Sequence, residues 1–165
     1  MSENAPPRQG RALVADANLH MLRGVHTLLE SLFDSTVMVS DERSLLETAE
    51  NCRQDICIVD LVFPVAAEVN VIRLMRKLFP TLPVVVLSLY DEPSVAQDAL
   101  AQGAVAFVLK RAALADLVPA VEAVRRGETY ISPLVRSPLQ GPHGRSDGAG
   151  ADESFDELRP GSATT

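Results

Sequence analysis

Tryptophan is absent from the 165 residues, and aromatic side chains make up only 4% of them. A base-stacking nucleic-acid platform needs such rings on a basic surface, and this chain supplies neither. Positive charge is the minority sign: 15 Lys and Arg stand against 22 Asp and Glu, a formal net charge of -7. That balance argues against direct nucleic-acid binding by this chain and against attachment to an anionic membrane. Cysteine is scarce as well. Cys52 and Cys57 alone cannot build a disulfide framework or a four-ligand zinc site. No apolar run approaches the roughly 20 residues that cross a bilayer, and the opening MSENAPPRQGR lacks the apolar stretch of a signal peptide. The expected compartment is a reducing, bacterial-type cytoplasm.

What is present is a hydrophobic fraction of 47%, enough for one domain with a buried core plus tails. Residues 1–10 are polar with a Pro pair and read as a disordered N-terminal tail. Residues 133–165 are rich in Pro, Gly, Ser and acid and read as a flexible linker or tail, with a marginal helical turn around 152–158. Between them, residues 11–132 alternate short apolar runs with helical patterns. ALVA at 12–15, TVMV at 36–39, ICIV at 56–59, VVVL at 84–87 and VAFVL at 105–109 are the five expected strands. The intervening helices are marked by Leu19, Leu22, Val25, Leu28, Leu29 and Leu32, then Leu45, Leu46 and Ala49, and then Val69, Ile72, Leu74, Met75 and Leu78. The last two carry Val95, Ala99 and Leu100, and Leu114, Leu117, Val118, Val121 and Val124. Pro119 falls inside the last helix and is expected to perturb its hydrogen-bond ladder. Continuous Val/Ile/Leu strands are those of a parallel sheet buried on both faces, so the fold class is a doubly wound α/β domain.

The informative polar residues follow the apolar runs. Asp16, Asp60, Ser88 and Lys110 each stand directly after one. In a single parallel sheet they meet at the carboxyl edge, where this fold class places its ligand sites. Two carboxylates, a hydroxyl and an ammonium suit phosphate and metal chemistry: Asp60 as phosphoryl acceptor, Asp16 with Mg²⁺, Ser88 and Lys110 on phosphoryl oxygens. Any one such residue is ordinarily just the start of a loop; four in matching order are a stronger signal. Cys57 reads as core, and His20, His26 and His143 as solvent-facing. Arg125-Arg126 reads as the charged end of a helix.

VAD followed by a helix, IVDLVFP, VVLS and GAVAFVLK resemble the receiver domain of two-component response regulators over residues 11–132. LRG on the first helix and AVRRGETYISP after the last are similar to the NarL/FixJ (LuxR-type) subgroup. The resemblance implies a flavodoxin-like strand order 2-1-3-4-5, with Asp60 as phosphoacceptor, Ser88 as switch hydroxyl and Lys110 as phosphate partner. Phe107 becomes the switch aromatic that turns inward. The implied metal set is Asp16, Asp60 and the Val62 backbone carbonyl around Mg²⁺. The implied phosphoryl donor is a sensor histidine kinase, and a homodimer is the implied assembly.

Three departures from the family pattern stand out. The usual acid pair after the first strand reads Asp16-Ala17. A carboxylate about 4 Å from a divalent ion is worth on the order of 2 kcal/mol even at water-like dielectric. Its loss predicts Mg²⁺ affinity lower by roughly one to two decades. Second, Glu68 occupies the position of a family Gly in the loop after Asp60, where positive φ would disfavour it. Third, no helix-turn-helix follows, so the output domain that would control transcription is absent from these residues. Ala17 and Glu68 support an alternative, a degenerate receiver acting as a phosphorylation-independent interaction or dimerisation module. Enzyme readings on the same fold are weaker. DANLHML is too apolar for a flavin phosphate loop, and Val62 stands where an aspartyl-phosphate phosphatase needs an acid.

Overall fold

The computed structural model describes residues 9–18, 23–66 and 68–135. Among them the chain alternates β1 (Arg11–Ala15), α1 (Arg23–Leu32), β2 (Ser35–Val39), α2 (Glu42–Asn51) and β3 (Ile56–Asp60). It continues with α3 (Val71–Leu78), β4 (Val84–Ser88), α4 (Pro93–Ala101), β5 (Ala106–Leu109), α5 (Ala113–Arg125) and β6 (Tyr130–Ile131). A 3-10 turn over Lys110–Ala112 joins β5 to α5. Leu19, His20, Leu22, His143 and the marginal turn at 152–158 lie outside the described residues.

All six strands are parallel, in the order β2-β1-β3-β4-β5-β6. The expected 2-1-3-4-5 sheet is therefore present, extended by one strand. β6 is only two residues long, too short to leave a periodicity in the sequence. It forms because Gly127, at φ +74, ends α5 in a left-handed turn and returns the chain beside β5.

Side chains alternate strictly across the sheet. Leu13, Cys57, Val59, Val84, Val86, Phe107 and Leu109 face one apolar layer, covered by α2, α3 and α4 through Leu45, Val71, Ile72, Met75, Ala96 and Ala99. Ala12, Val14, Ile56, Ile58, Val85, Leu87, Ala106 and Val108 face the other layer. There α1 and α5 cover them with Val25, Leu29, Leu32, Leu117, Ala120 and Val121.

One helix expectation changes. Val69 lies outside α3 and is exposed, because the Asn70 side chain caps that helix by accepting the Arg73 N–H at 3.1 Å. α5 runs unbroken through Pro119. Pro119 removes the donor that would meet the carbonyl of Ala115, an exposed residue, which is the expected local gap in the ladder. Arg125 does more than end a helix. Its guanidinium donates to the carbonyls of Gln9 (2.9 Å) and Leu32 (3.1 Å) and stacks 5.0 Å over the Phe33 ring. Gln9 and Gly10 are thereby tied to the α1–β2 loop, where Gly10 also exchanges hydrogen bonds with Asp34.

Candidate functional site

Register places the acids. Ala15 pairs with Val59, so Asp16 and Asp60 emerge side by side where the chain order reverses between β1 and β3. Ser88 pairs with Leu109, so Lys110 is the next residue along that edge. Asp16, Asp60 and Ser88 are all buried. The Lys110 ammonium lies 2.8 Å from Asp16 Oδ2 and 3.1 Å from Asp60 Oδ2, bridging both. The remaining acid oxygens accept main-chain donors: Asp16 Oδ1 from Asn18 N–H at 2.7 Å, Asp60 Oδ1 from Val62 N–H at 3.3 Å.

Lys110 thus touches two of the other three predicted residues, Asp16 and Asp60. Ser88 does not join them. Its hydroxyl accepts the Tyr90 N–H at 2.9 Å and donates to the Tyr90 carbonyl at 3.3 Å, a turn that orders the β4–α4 loop. Phe107 is fully buried in the apolar layer beneath α2, α3 and α4. The ring lies inside in this structure. Burial would lower the Lys110 pKa, but the hydrogen bonds and charges of Asp16 and Asp60 outweigh it and raise it.

The acidic pocket is smaller than a three-carboxylate metal site. Ala17 is exposed beside Asp16, and Glu68 is exposed in the β3–α3 loop with no positive φ. Among the described residues no group of three His, Cys, Asp or Glu side chains is placed to hold a metal. Two carboxylates against one ammonium still leave one uncompensated negative charge. Mg²⁺ commonly takes one or two carboxylates and completes its shell with water and phosphate oxygens, so Asp16 and Asp60 fit as a partial donor set.

Sequence reasoning missed a second buried polar cluster. Asp116 on α5 and Ser132 after β6 are both buried and bonded to each other. The available signal was an acid at 116, on the same helical stripe as the buried Ala113 and Ala120.

The family model of the response regulator receiver domain matches residues 12–122, and the chain belongs to that family. It is the receiver domain of a two-component response regulator. Such domains are signalling modules that generally bind Mg²⁺ at the acidic pocket. The chain is 27% identical to the transcriptional regulatory protein DegU of Brevibacillus brevis, over 82% of this chain and 58% of that protein. It is 29% identical to the transcriptional regulatory protein MctR of Rhizobium johnstonii, over 91% and 68%. The chain thus spans only part of the relatives it matches. In fold it is similar to the isolated REC domain of RcsB from Salmonella enterica serovar Typhimurium. That structure was solved with the phosphomimetic BeF3⁻, and the match has a TM-score of 0.69 and 23% identity over 78% of this chain and 96% of that one. No described helix is long and apolar enough to cross a membrane.

Proposed function

We propose that the chain is a phosphorylation-controlled receiver in which Asp60 accepts a phosphoryl group from a sensor histidine kinase. The change at the sheet edge then alters a protein-interaction surface and controls transcription through an output domain outside these residues. The supporting observation is the Lys110 ammonium held between Asp16 and Asp60. An Asp60 oxygen bonds to phosphorus as the donor P–N bond breaks, and the leaving imidazole keeps the electron pair. Lys110 then pairs with a phosphoryl oxygen, a charge-assisted contact stronger than a neutral one. Ser88 exchanges its Tyr90 partner for another phosphoryl oxygen. That exchange releases the loop carrying Leu89 and Tyr90, which are 59% and 51% exposed. This loop is the element that moves. Mg²⁺, when held by Asp16, Asp60 and the Val62 carbonyl, would neutralise charge on the phosphoryl oxygens, with affinity reduced by Ala17. The solved complex of two RcsB dimers with DNA supports a homodimer as the assembly in which such a switch is read.

The test is intact-mass measurement after incubation with Mg²⁺ and acetyl phosphate. One phosphoryl group should add to the wild type and none to Asp60→Asn. Uptake by Asp60→Asn at the wild-type rate overturns the assignment. The exposed Ala17 at the position of the second acid favours one other reading, a degenerate receiver that binds partners without phosphorylation. No addition to the wild type, even at high Mg²⁺, selects that reading.

A further inference from the structure

The residues that leave the domain are held by a buried polar cluster that the phosphoryl chemistry does not use. β6 ends at Ile131, whose register partner on β5 is Phe107. The ladder nevertheless continues. Ser132 N–H donates to the Phe107 carbonyl at 2.8 Å. The Ser132 hydroxyl oxygen then accepts the Leu109 N–H at 2.9 Å, taking the place of the next main-chain carbonyl. That hydroxyl donates in turn to Asp116 Oδ2 on the first turn of α5. The Ser132 carbonyl accepts the Val135 N–H at 3.0 Å, so the same residue also sets the start of the outgoing chain. One residue, 1% exposed, therefore joins β5 and α5 through its hydroxyl and the exit segment through its carbonyl.

Its contact on β5 is the residue directly before Lys110. Leu109 is fully buried, so its N–H finds no water if the Ser132 oxygen is removed. A shift of the end of β5 that satisfied the amide would carry Lys110 with it. We propose that Ser132, held by Asp116, is a positioning residue for Lys110 and couples the segment leaving the domain to the phosphoacceptor pocket. The functional half rests on the phosphorylation reading above. Coupling of this kind is reciprocal: what the exit segment does to Lys110, a phosphoryl group on Asp60 does to the exit segment.

The experiment uses the full chain as wild type, Ser132→Ala, Ser132→Thr and Asp60→Asn. Intact mass gives the rate of phosphoryl addition from acetyl phosphate. Hydrogen exchange follows the amides at 106–110 and 130–135, and the Lys110 Nζ signal is followed in ¹H–¹⁵N spectra. Ser132→Ala should label about fivefold more slowly, the kinetic counterpart of one typical hydrogen bond. It should also displace the Lys110 signal, and Ser132→Thr, which restores the hydroxyl, should recover both. Phosphorylation of the wild type should change protection at 130–135, with no change in Asp60→Asn. If Ser132→Ala loses protection at 130–135 while its labelling rate and Lys110 signal stay wild-type, the cluster is merely structural and the proposal is overturned. If the wild type takes no phosphoryl group, the phosphorylation reading fails separately. The positioning role is then decided by whether the Lys110 signal moves in Ser132→Ala and returns in Ser132→Thr. Should Ser132→Ala not fold, Asp116→Asn is read the same way, and an unmoved Lys110 signal there also overturns the proposal.

Discussion

The pocket around Asp60 and the cluster around Ser132 meet at adjacent residues, Lys110 and Leu109, yet they handle buried charge differently. In the pocket, two carboxylates share one ammonium on a long flexible stem, with the exposed Ala17 and Asn18 beside them. In the cluster, a single carboxylate accepts from a short hydroxyl whose oxygen is committed to the strand ladder. A lysine can follow charge as it moves, because its ammonium is a point charge on four rotatable methylenes. A serine in a ladder can only hold. The first arrangement suits a site that must accept a new anion, and the second suits a fixed point from which the first is positioned.

The comparison is broken most completely at Asp60. Asp60→Asn should abolish phosphoryl addition and leave the Ser132 cluster intact, with exchange protection at 130–135 unchanged in the absence of phosphodonor. Next comes Lys110→Ala, which leaves two buried carboxylates facing each other without a cation. We expect a loss of about 3 kcal/mol in urea unfolding, the cost of removing one partner from a buried ion pair. A loss below about 1 kcal/mol, the range of an exposed pair, would mean that the bridge is solvated. Ala17→Asp restores the second acid and should tighten Mg²⁺ by about one to two decades in calorimetric titration. Unchanged affinity would show that Asp16, Asp60 and the Val62 carbonyl suffice.

Alkaline titration separates two groups. Burial pushes the Cys57 thiol up from 9.0 to about 12, so the unfolded chain releases that proton first. Stability should therefore decline as pH rises between those values. Lys110 is also raised, so its contribution is complete below its ordinary value of 10.5 and is lost as pH climbs through the raised one. Lys110→Ala should remove the upper part of the decline, and Cys57→Ala the lower part, in pH-dependent urea midpoints. At pH 8, alkylation should modify the exposed Cys52 and spare Cys57.

The amino-acid order by itself determined the five long strands, because runs such as ICIV and VVVL fit only a sheet covered on both faces. It also determined that Asp16, Asp60, Ser88 and Lys110 share one edge, since parallel strands end on the same side and each of these residues follows a run. Tertiary structure decided what spacing along the chain does not encode. Register set Asp16 beside Asp60 and brought Lys110, 94 residues from Asp16, into contact with both. It turned Ser88 toward the Tyr90 backbone and left Phe107 inside. Above all, it made Asp116 and Ser132 a site. Singly, an acid in a helix and a serine before a proline read as surface residues. Two residues of β6 lie against β5 and bring them, both buried, within hydrogen-bonding distance.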